Sequence, residues 1–394
     1  VLASMEEEGV SLDISHLKNY SNILGQEAEK LEKEIKELAG MDFNIDSPKQ
    51  LGEVLFEQLK ISSKAKKTKT GQYATSEDIL MQHKNDHAII PLILDYRQVK
   101  KLKSTYVDPL QTLIDLRDGR VHTSFMQTVT ATGRLSSNNP NLQNIPIRSE
   151  RGKEIRKAFI ARSEDFLLMS ADYSQIELRI IASLANDPAM IQSFKNGEDI
   201  HRATAAKVYQ VPLDQVTKDQ RSAAKAVNFG IIYGQSAFGL SQNLGISRTE
   251  AKQLIDSYFE QYGTIKTYMD SAVKNARENG YVETIMKRRR YLPDINSANA
   301  VVRGFAERNA VNAPIQGSAA DIIKKAMIAV SKAMKEQGVK SKMILQVHDE
   351  LVFDVHKEEV EQMKNLVEKA MVSAVNLAVP MEVELEVAQN WLDA

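Results

Sequence analysis

Leu17, Leu24, Leu31 and Leu38 recur every seven residues, with Ala28 and Ile35 filling in four residues on. That spacing predicts one amphipathic helix over 13–39 with a core-facing or self-packing seam. Asp13 is placed to cap its start and Gly40 to stop it. A second helix is expected at Ser47-Pro48-Lys49-Gln50, where Ser is the N-cap, Pro suits the first turn and Gln completes a capping box. A third helical pattern runs from about 89 to 116 and ends in the turn Arg117-Asp118-Gly119-Arg120. The first 120 residues should therefore be nearly all helix. One stretch interrupts them: KISSKAKKTKTGQY (60–73) carries Lys60, Lys64, Lys66, Lys67 and Lys69 with no acid among them. Its Ser, Thr and Gly make it a loop, open to phosphate contact or to plain solvation.

The pattern changes at 121. VHTSFMQTV reads as a strand, and 130–148, rich in Asn, Ser, Gly and Pro, as a loop long enough to suggest function. FLLMSADY (166–173) is an apolar strand ending at Asp172, and QIELRIIASLAND the helix after it. Helical patterns dominate 186–300. From 301 a helix-rich stretch leads to a hairpin at 343–355, a helix over 357–376 and a last strand at 381–388. Strands thus cluster in 121–175 and 343–388, which predicts one sheet built from two sequence-distant parts with helical lobes around it. The fold class is α+β with segregated elements.

Composition sets the outer limits. The 394 residues are 43% hydrophobic and 26% charged, which fits a globular chain. A net charge of −1 gives no global signal for nucleic acid, so local clusters must carry that case. Cys is absent, which excludes disulfides and Cys-based zinc sites and fits a reducing compartment. No apolar run approaches the length of a membrane span. The opening VLASMEEEGV has neither a signal-peptide pattern nor an initiator Met, so the chain reads as the C-terminal part of something longer.

Candidate chemistry sits in three places. Asp172 ends an apolar strand, and Asp349-Glu350 sits between two apolar runs in KMILQVHDELVFDV. Each alone is an ordinary turn or cap residue. Together at adjacent strand ends they would repel unless a cation lay between them. Magnesium suits such a site, taking one or two carboxylates, water and phosphate oxygens. Between the acids, Arg221, Lys225, Phe229 and Tyr233 are spaced by four and share one broad helix face. Cations at one end and aromatics at the other suit a face that grips phosphate and stacks on a base. Gly230 and Gly234 lie beside the aromatics, where something flat could approach. Acids for metal and cations for polyphosphate are the minimum set for nucleotidyl transfer.

DYSQIELR (172–179), the set Arg221–Lys225–Phe229-Gly230–Tyr233-Gly234, and QVHDE (346–350) resemble motifs A, B and C of the family A DNA polymerases. TATGRLSS, NPNLQNIP, the SPKQL helix start, the KTKTG loop and NAPIQGSAAD match as well, in order along nearly the whole chain. The resemblance implies a right-hand polymerase fold with an antiparallel-sheet palm and helical thumb and fingers. Residues 1–120 would be the thumb with an N-terminal connecting segment, 121–185 and 301–394 the palm, and 186–300 the fingers, with the motif B helix at about 218–234. The upstream exonuclease regions would be missing. Asp172, Asp349 and the backbone carbonyl of Tyr173 would bind two Mg²⁺ ions, Mn²⁺ being a substitute, with Glu350 a further catalytic carboxylate nearby. Arg221, Lys225 and His201 would contact the triphosphate, Lys225 would be the general acid, Tyr233 would shape the template-base pocket, and Gln175 would join the dNTP site. Glu177 would be the steric gate against ribonucleotides, and Phe229, in place of Tyr, would disfavour terminators lacking a 3′-OH. Arg134, Arg308, Asn312, Gln316 and His348 would touch the primer–template, and Lys66, Lys67 and Lys69 the duplex phosphates. The implied partners are primer–template DNA and dNTPs, with no membrane, for a monomeric bacterial enzyme of the nucleoid-bearing cytoplasm. A single-subunit RNA polymerase would carry Tyr at 229 and lack the Glu177 gate. A two-metal nuclease would not need the striped helix, and a non-catalytic DNA clamp could lose Asp172, Asp349 and Lys225. KRRR (287–290) reads equally as a template contact or a solvated basic turn.

Overall fold

Asp13 starts the first long helix, accepting a hydrogen bond from His16 N, and Gly40 ends it in the left-handed conformation. In the computed structural model, which describes residues 1–63, 65–147 and 149–394, this helix is α1 (Ile14–Ala39). Lys64 of the basic run and Arg148 at the end of the polar loop lie outside the described residues. Leu17, Leu24, Leu31, Ala28 and Ile35 are buried along α1, but Leu38 is 41% exposed. A straight helix drifts about 20° per heptad, enough to turn the fourth leucine off the seam. The buried stripe packs on α2 (Ile89–Lys101). The pattern beyond α2 is not one α-helix: Leu102–Val107 widens to a π-helical turn, and helix ends at Thr112 rather than near 116. The capping box at Ser47 is only half formed. Ser47 Oγ accepts from Gln50 N, but Gln50 Oε1 turns to Asn44 N at 2.8 Å.

The sheet forms from both expected segments. Strands β1 (Phe166–Tyr173), β2 (Lys342–Val347), β3 (Glu350–His356) and β4 (Val383–Ala388) lie in the order β4-β1-β3-β2, all antiparallel. Burial on both faces explains why β1 and β3 read as continuous apolar runs. The strand expected from 121 shrinks to Ser124–Met126, paired with Ser136–Asn138 inside the supposed loop. A second departure is a short hairpin, Tyr281–Glu283 with Arg289–Tyr291, within the helical lobe.

Helices position the rest. β1 leads directly into α3 (Ile176–Leu184). The lobe that follows packs α4 (Ile200–Val208) on α5 (Lys218–Ile232). The 38-residue α6 (Ala300–Gln337) runs back, lying on α3 and on α7 (Val360–Val372).

One buried acid fastens the sheet to the preceding chain. Asp354 on β3 is fully buried and accepts from Arg120 Nη2 at 2.9 Å and Arg162 Nε at 3.0 Å. Removing one member of a buried pair leaves the others desolvated without compensation. Asp354→Ala should therefore lower the unfolding free energy by about 3–5 kcal/mol in urea denaturation. A loss under about 1 kcal/mol would show the ion pairs to be dispensable.

Candidate active site

The β1–β4 register places Asp172 opposite Glu384, and the β1–β3 register places it opposite Glu350. Asp349 lies one residue before Glu350, in the tight turn between β2 and β3. That turn needs His348 at φ 54°, a conformation unfavourable for a side chain with a Cβ and more often seen at functional sites. Tyr173 N donates to Asp349 O at 3.3 Å and so ties the turn to the end of β1. Four carboxylates thus crowd one end of the sheet. Asp172 is exposed, yet desolvation against the packed sheet, and then the charges of Asp349, Glu350 and Glu384, push its pKa up to about 7. Burial also raises Asp349, opposed by the Arg134 guanidinium.

The acids are not equivalent. Glu350 Oε1 accepts from Trp391 Nε1 at 2.8 Å, and Arg156, stacked 4.1 Å over the Trp391 ring, lies 4.0 Å from Oε2. Glu350 is thereby tied back toward Trp391, whereas Asp172 is exposed and the Asp349 side chain is 22% exposed. Among the described residues, no group of three or more acids or histidines forms a metal-ready cluster. Two mutually repelling carboxylates beside a backbone carbonyl still fit Mg²⁺, which completes its shell with water and phosphate oxygens.

A continuous set of contacts runs from these acids to α5. Arg134 Nη2 lies 3.9 Å from Asp349 Oδ1 and donates to Glu177 Oε1 at 2.9 Å. Tyr233 OH donates to Glu177 Oε2 at 2.8 Å. The Tyr233 and Phe229 rings lie 6.4 Å apart and nearly parallel, and Phe229 meets the His201 ring at 5.7 Å. His201 Nε2 pairs with Gln175 Oε1 at 3.1 Å. Glu177 is 5% exposed and its pKa is raised by burial, against the pull of Tyr233 and Arg134.

The stripe on α5 has the expected sidedness. Thr217 and Gln220 form a reciprocal capping box at its start. Ala224, Val227 and Ile231 are buried, while Arg221 and Lys225 are exposed. Arg221 is paired with Asp199 at 2.7 Å, whereas Lys225 has no ion pair among the described residues. His201, expected on the triphosphate, is only 2% exposed. Its Nδ1 accepts from Asn228 Nδ2 at 3.1 Å, so Nε2–H is the donor to Gln175 and both ring nitrogens are engaged. Phe229, Tyr233 and Arg308 line one groove, where the left-handed Gly234 lets the Arg308 side chain lie close.

The profile described as DNA polymerase family A matches residues 14–393. The chain belongs to DNA polymerase family A. It is 50% identical over 394 residues to DNA polymerase I of Bacillus subtilis (strain 168), and 52% identical over 396 residues to that of Streptococcus pneumoniae. All of the chain is matched, but it spans only 44% and 45% of those relatives' lengths. The POL domain of an M. smegmatis polymerase, solved in complex with DNA primer-template and dNTP, superposes with a TM-score of 0.94 at 45% identity. That match covers 100% of this chain and 69% of the other. The fold is the right-hand polymerase fold, with an antiparallel sheet and helical lobes.

Other expected site residues of this family A chain lie outside the contact set. Asn312 and Gln316 stand on α6, and Asn312 Oδ1 is buried with no hydrogen-bond partner among the described residues. Lys66, Lys67 and Lys69 are exposed on a small hairpin-like tip, where Lys67 lies 4.6 Å over the Tyr73 ring. Asp199, Asn228, Trp391 and Arg156 had no sequence signal as site residues, because each acts through a partner distant in sequence. The GEDIH run could have suggested Asp199, an N-cap that also holds Arg221.

Burial pushes the His201 pKa down to about 4, with help from Lys225 and Arg221 and against Asp199. The folded value lies below the ordinary one of about 6.5, so the unfolded chain takes up the proton first. Stability from the neutral ring is complete above about pH 6.5 and is lost as pH falls toward 4. His201→Gln should remove about 2–3 kcal/mol of that acid-side loss, read from urea midpoints at pH 7 and pH 4.5. Parallel pH curves for the two proteins would refute the assignment.

Proposed function

We propose that this chain is a template-directed DNA polymerase, adding dNTPs to a primer 3′-OH and releasing pyrophosphate in replication and repair. The observation that carries this reading is the joining of Asp349 to the striped helix through Arg134, Glu177 and Tyr233. It links the proposed metal-binding acids to the proposed nucleotide-binding face. Residues 1–120 serve as the thumb, 121–185 and 301–394 as the palm, and 186–300 as the fingers.

Family A DNA polymerases use divalent metal ions, generally Mg²⁺. Asp172, Asp349 and the Tyr173 carbonyl would hold two such ions, with Mn²⁺ a substitute, which when bound acidify the primer hydroxyl and offset phosphate charge. Lys225, exposed and without an ion pair among the described residues, supplies a positive charge to the triphosphate and a proton to the leaving pyrophosphate. Arg221 reaches the same phosphates by exchanging Asp199 for them, a charge-for-charge replacement. His201 supports this site from behind, fixing Gln175 and the edge of Phe229.

Glu177 selects the sugar. Both its oxygens are engaged, so the carboxylate cannot swing aside, and a 2′-OH meets an immobile wall. Arg134, Arg308, Asn312, Gln316 and His348 contact the primer–template near its terminus, and Lys66, Lys67 and Lys69 the duplex phosphates. The protein works as a monomer in the bacterial cytoplasm, on nucleoid DNA. No helix among the described residues is long and apolar enough to cross a membrane.

Primer extension with Mg²⁺ and the four dNTPs tests the reading. A template-directed ladder is expected, falling on the order of 10³-fold in Asp349→Asn. No ladder from the unaltered chain, or full activity in the variant, would reject it. Glu177→Ala should raise the ribonucleotide-to-deoxyribonucleotide insertion ratio about tenfold or more. An unchanged ratio would remove the gate from Glu177.

A further inference from the structure

Arg288 lies in the turn of the 281–291 hairpin, within the run KRRR. Its neighbours behave as surface cations: Lys287 and Arg289 both pair with Glu283, at 3.7 and 3.0 Å, and Arg289 stacks 4.4 Å over Tyr281. Arg288 points the other way. Its Nε donates to Asp321 Oδ1 at 2.8 Å, and its Nη2 donates to Thr132 O at 2.7 Å and Gly317 O at 2.9 Å. One guanidinium therefore joins the hairpin, helix α6 and the polar loop that begins at 130.

That loop is held from α6 as well. Lys324, one turn beyond Asp321, donates to Gly133 O at 2.5 Å. Two cations thus converge on consecutive carbonyls, although burial and Arg288 itself lower the Lys324 pKa. Gly133 sits at φ 81°, and a Cβ there would overlap the Arg288 guanidinium. Gly317 is equally tight, with a Cβ falling 2.7 Å from Thr284 and 3.0 Å from Arg288. Thr130 Oγ1 closes the loop on Arg134 O at 2.6 Å.

The next side chain is Arg134, which reaches both Glu177 and Asp349. Its backbone lies in an irregular segment, so no strand or helix ladder fixes its position. Charge-assisted hydrogen bonds to the carbonyls of the two preceding residues do so instead. We propose that Arg288 is a positioning residue: through Thr132 and Gly133 it sets where Arg134 stands between the gate and the metal-binding acid. The proposal rests on the polymerase reading above. It turns a run that reads as a basic surface into an inward-facing brace between the hairpin and the catalytic floor.

The test is a double-mutant cycle on single-turnover insertion at saturating dNTP, using the unaltered chain, Arg288→Ala, Arg134→Ala and the double variant. If Arg288 acts through Arg134, Arg288→Ala should slow insertion about tenfold or more in the unaltered background, because small misplacements near the chemistry are costly. With Arg134 already removed it should slow insertion less than about twofold. A loss at least about fivefold larger in the unaltered background supports the proposal, and any smaller difference overturns it. A merely structural role would lower both backgrounds alike. Should Arg288→Ala fail to fold, Arg288→Lys decides by the same criterion, since one ammonium keeps the charge beside Asp321 but cannot reproduce the guanidinium's simultaneous bonds to Asp321, Thr132 and Gly317. A silent unaltered chain would reject the polymerase reading, whereas an active one with equal losses would reject only this proposal.

Discussion

Carboxylate repulsion at one end of the central sheet is the constraint around which the site is organised. Antiparallel pairing puts Asp172 between Glu350 and Glu384, with Asp349 in the adjoining turn. Desolvation, and then like charges so placed, favour proton retention, hence the raised pKa of Asp172. The fold tolerates the crowding because the pairing of the buried apolar strands fixes the register. Compensation is partial and selective. Glu350 has Trp391 and Arg156, Asp349 has Arg134 at a distance, and Asp172 has no ion pair among the described residues. Glu384 likewise has none among the described residues, so the charge at this end of the sheet is only partly offset, which is where a divalent cation would gain most.

Partial compensation also marks the residues around α5. Arg221 rests on Asp199, a residue already used as a helix cap, and is oriented by that pair. His201 is kept neutral by burial and by its bond from Asn228, which makes its ring a support for Phe229 and Gln175. Tyr233 and Arg134 converge on Glu177, so α5, helix α3 and the loop that begins at 130 share a hydrogen-bonded carboxylate. Displacement of α5 would have to break or carry along that bond, which couples the position of α5 to Glu177 and Arg134.

Basic residues in this chain have three distinct fates. The lysines at 66, 67 and 69 remain exposed on a loop tip, Lys287 and Arg289 neutralise Glu283, and Arg120, Arg162 and Arg288 work inside the protein on buried acids and carbonyls. Composition alone cannot separate these fates, since each run is cationic and flanked by turn residues.

Local order was legible in the sequence because it depends on neighbours within a few residues. Heptad leucines, caps at Asp13 and Gly40, apolar strands and the spacing of the stripe on α5 all follow from periodicities of the backbone. They were enough to predict a sheet from two distant segments and two acids at its edge. Leu38, carried off the seam by helix drift, the half-formed cap at Ser47 and the shortened strand at 124 show where simple periodicity and capping rules stop short. What the chain's linear order could not disclose was pairing: Trp391 on Glu350, Asp199 on Arg221, Asn228 on His201 and Arg288 on the loop before Arg134. Those contacts join residues 22 to 156 positions apart, and a side chain's partner over such distances is set by which surfaces the folded elements bring together, not by any pattern the backbone can carry along its length.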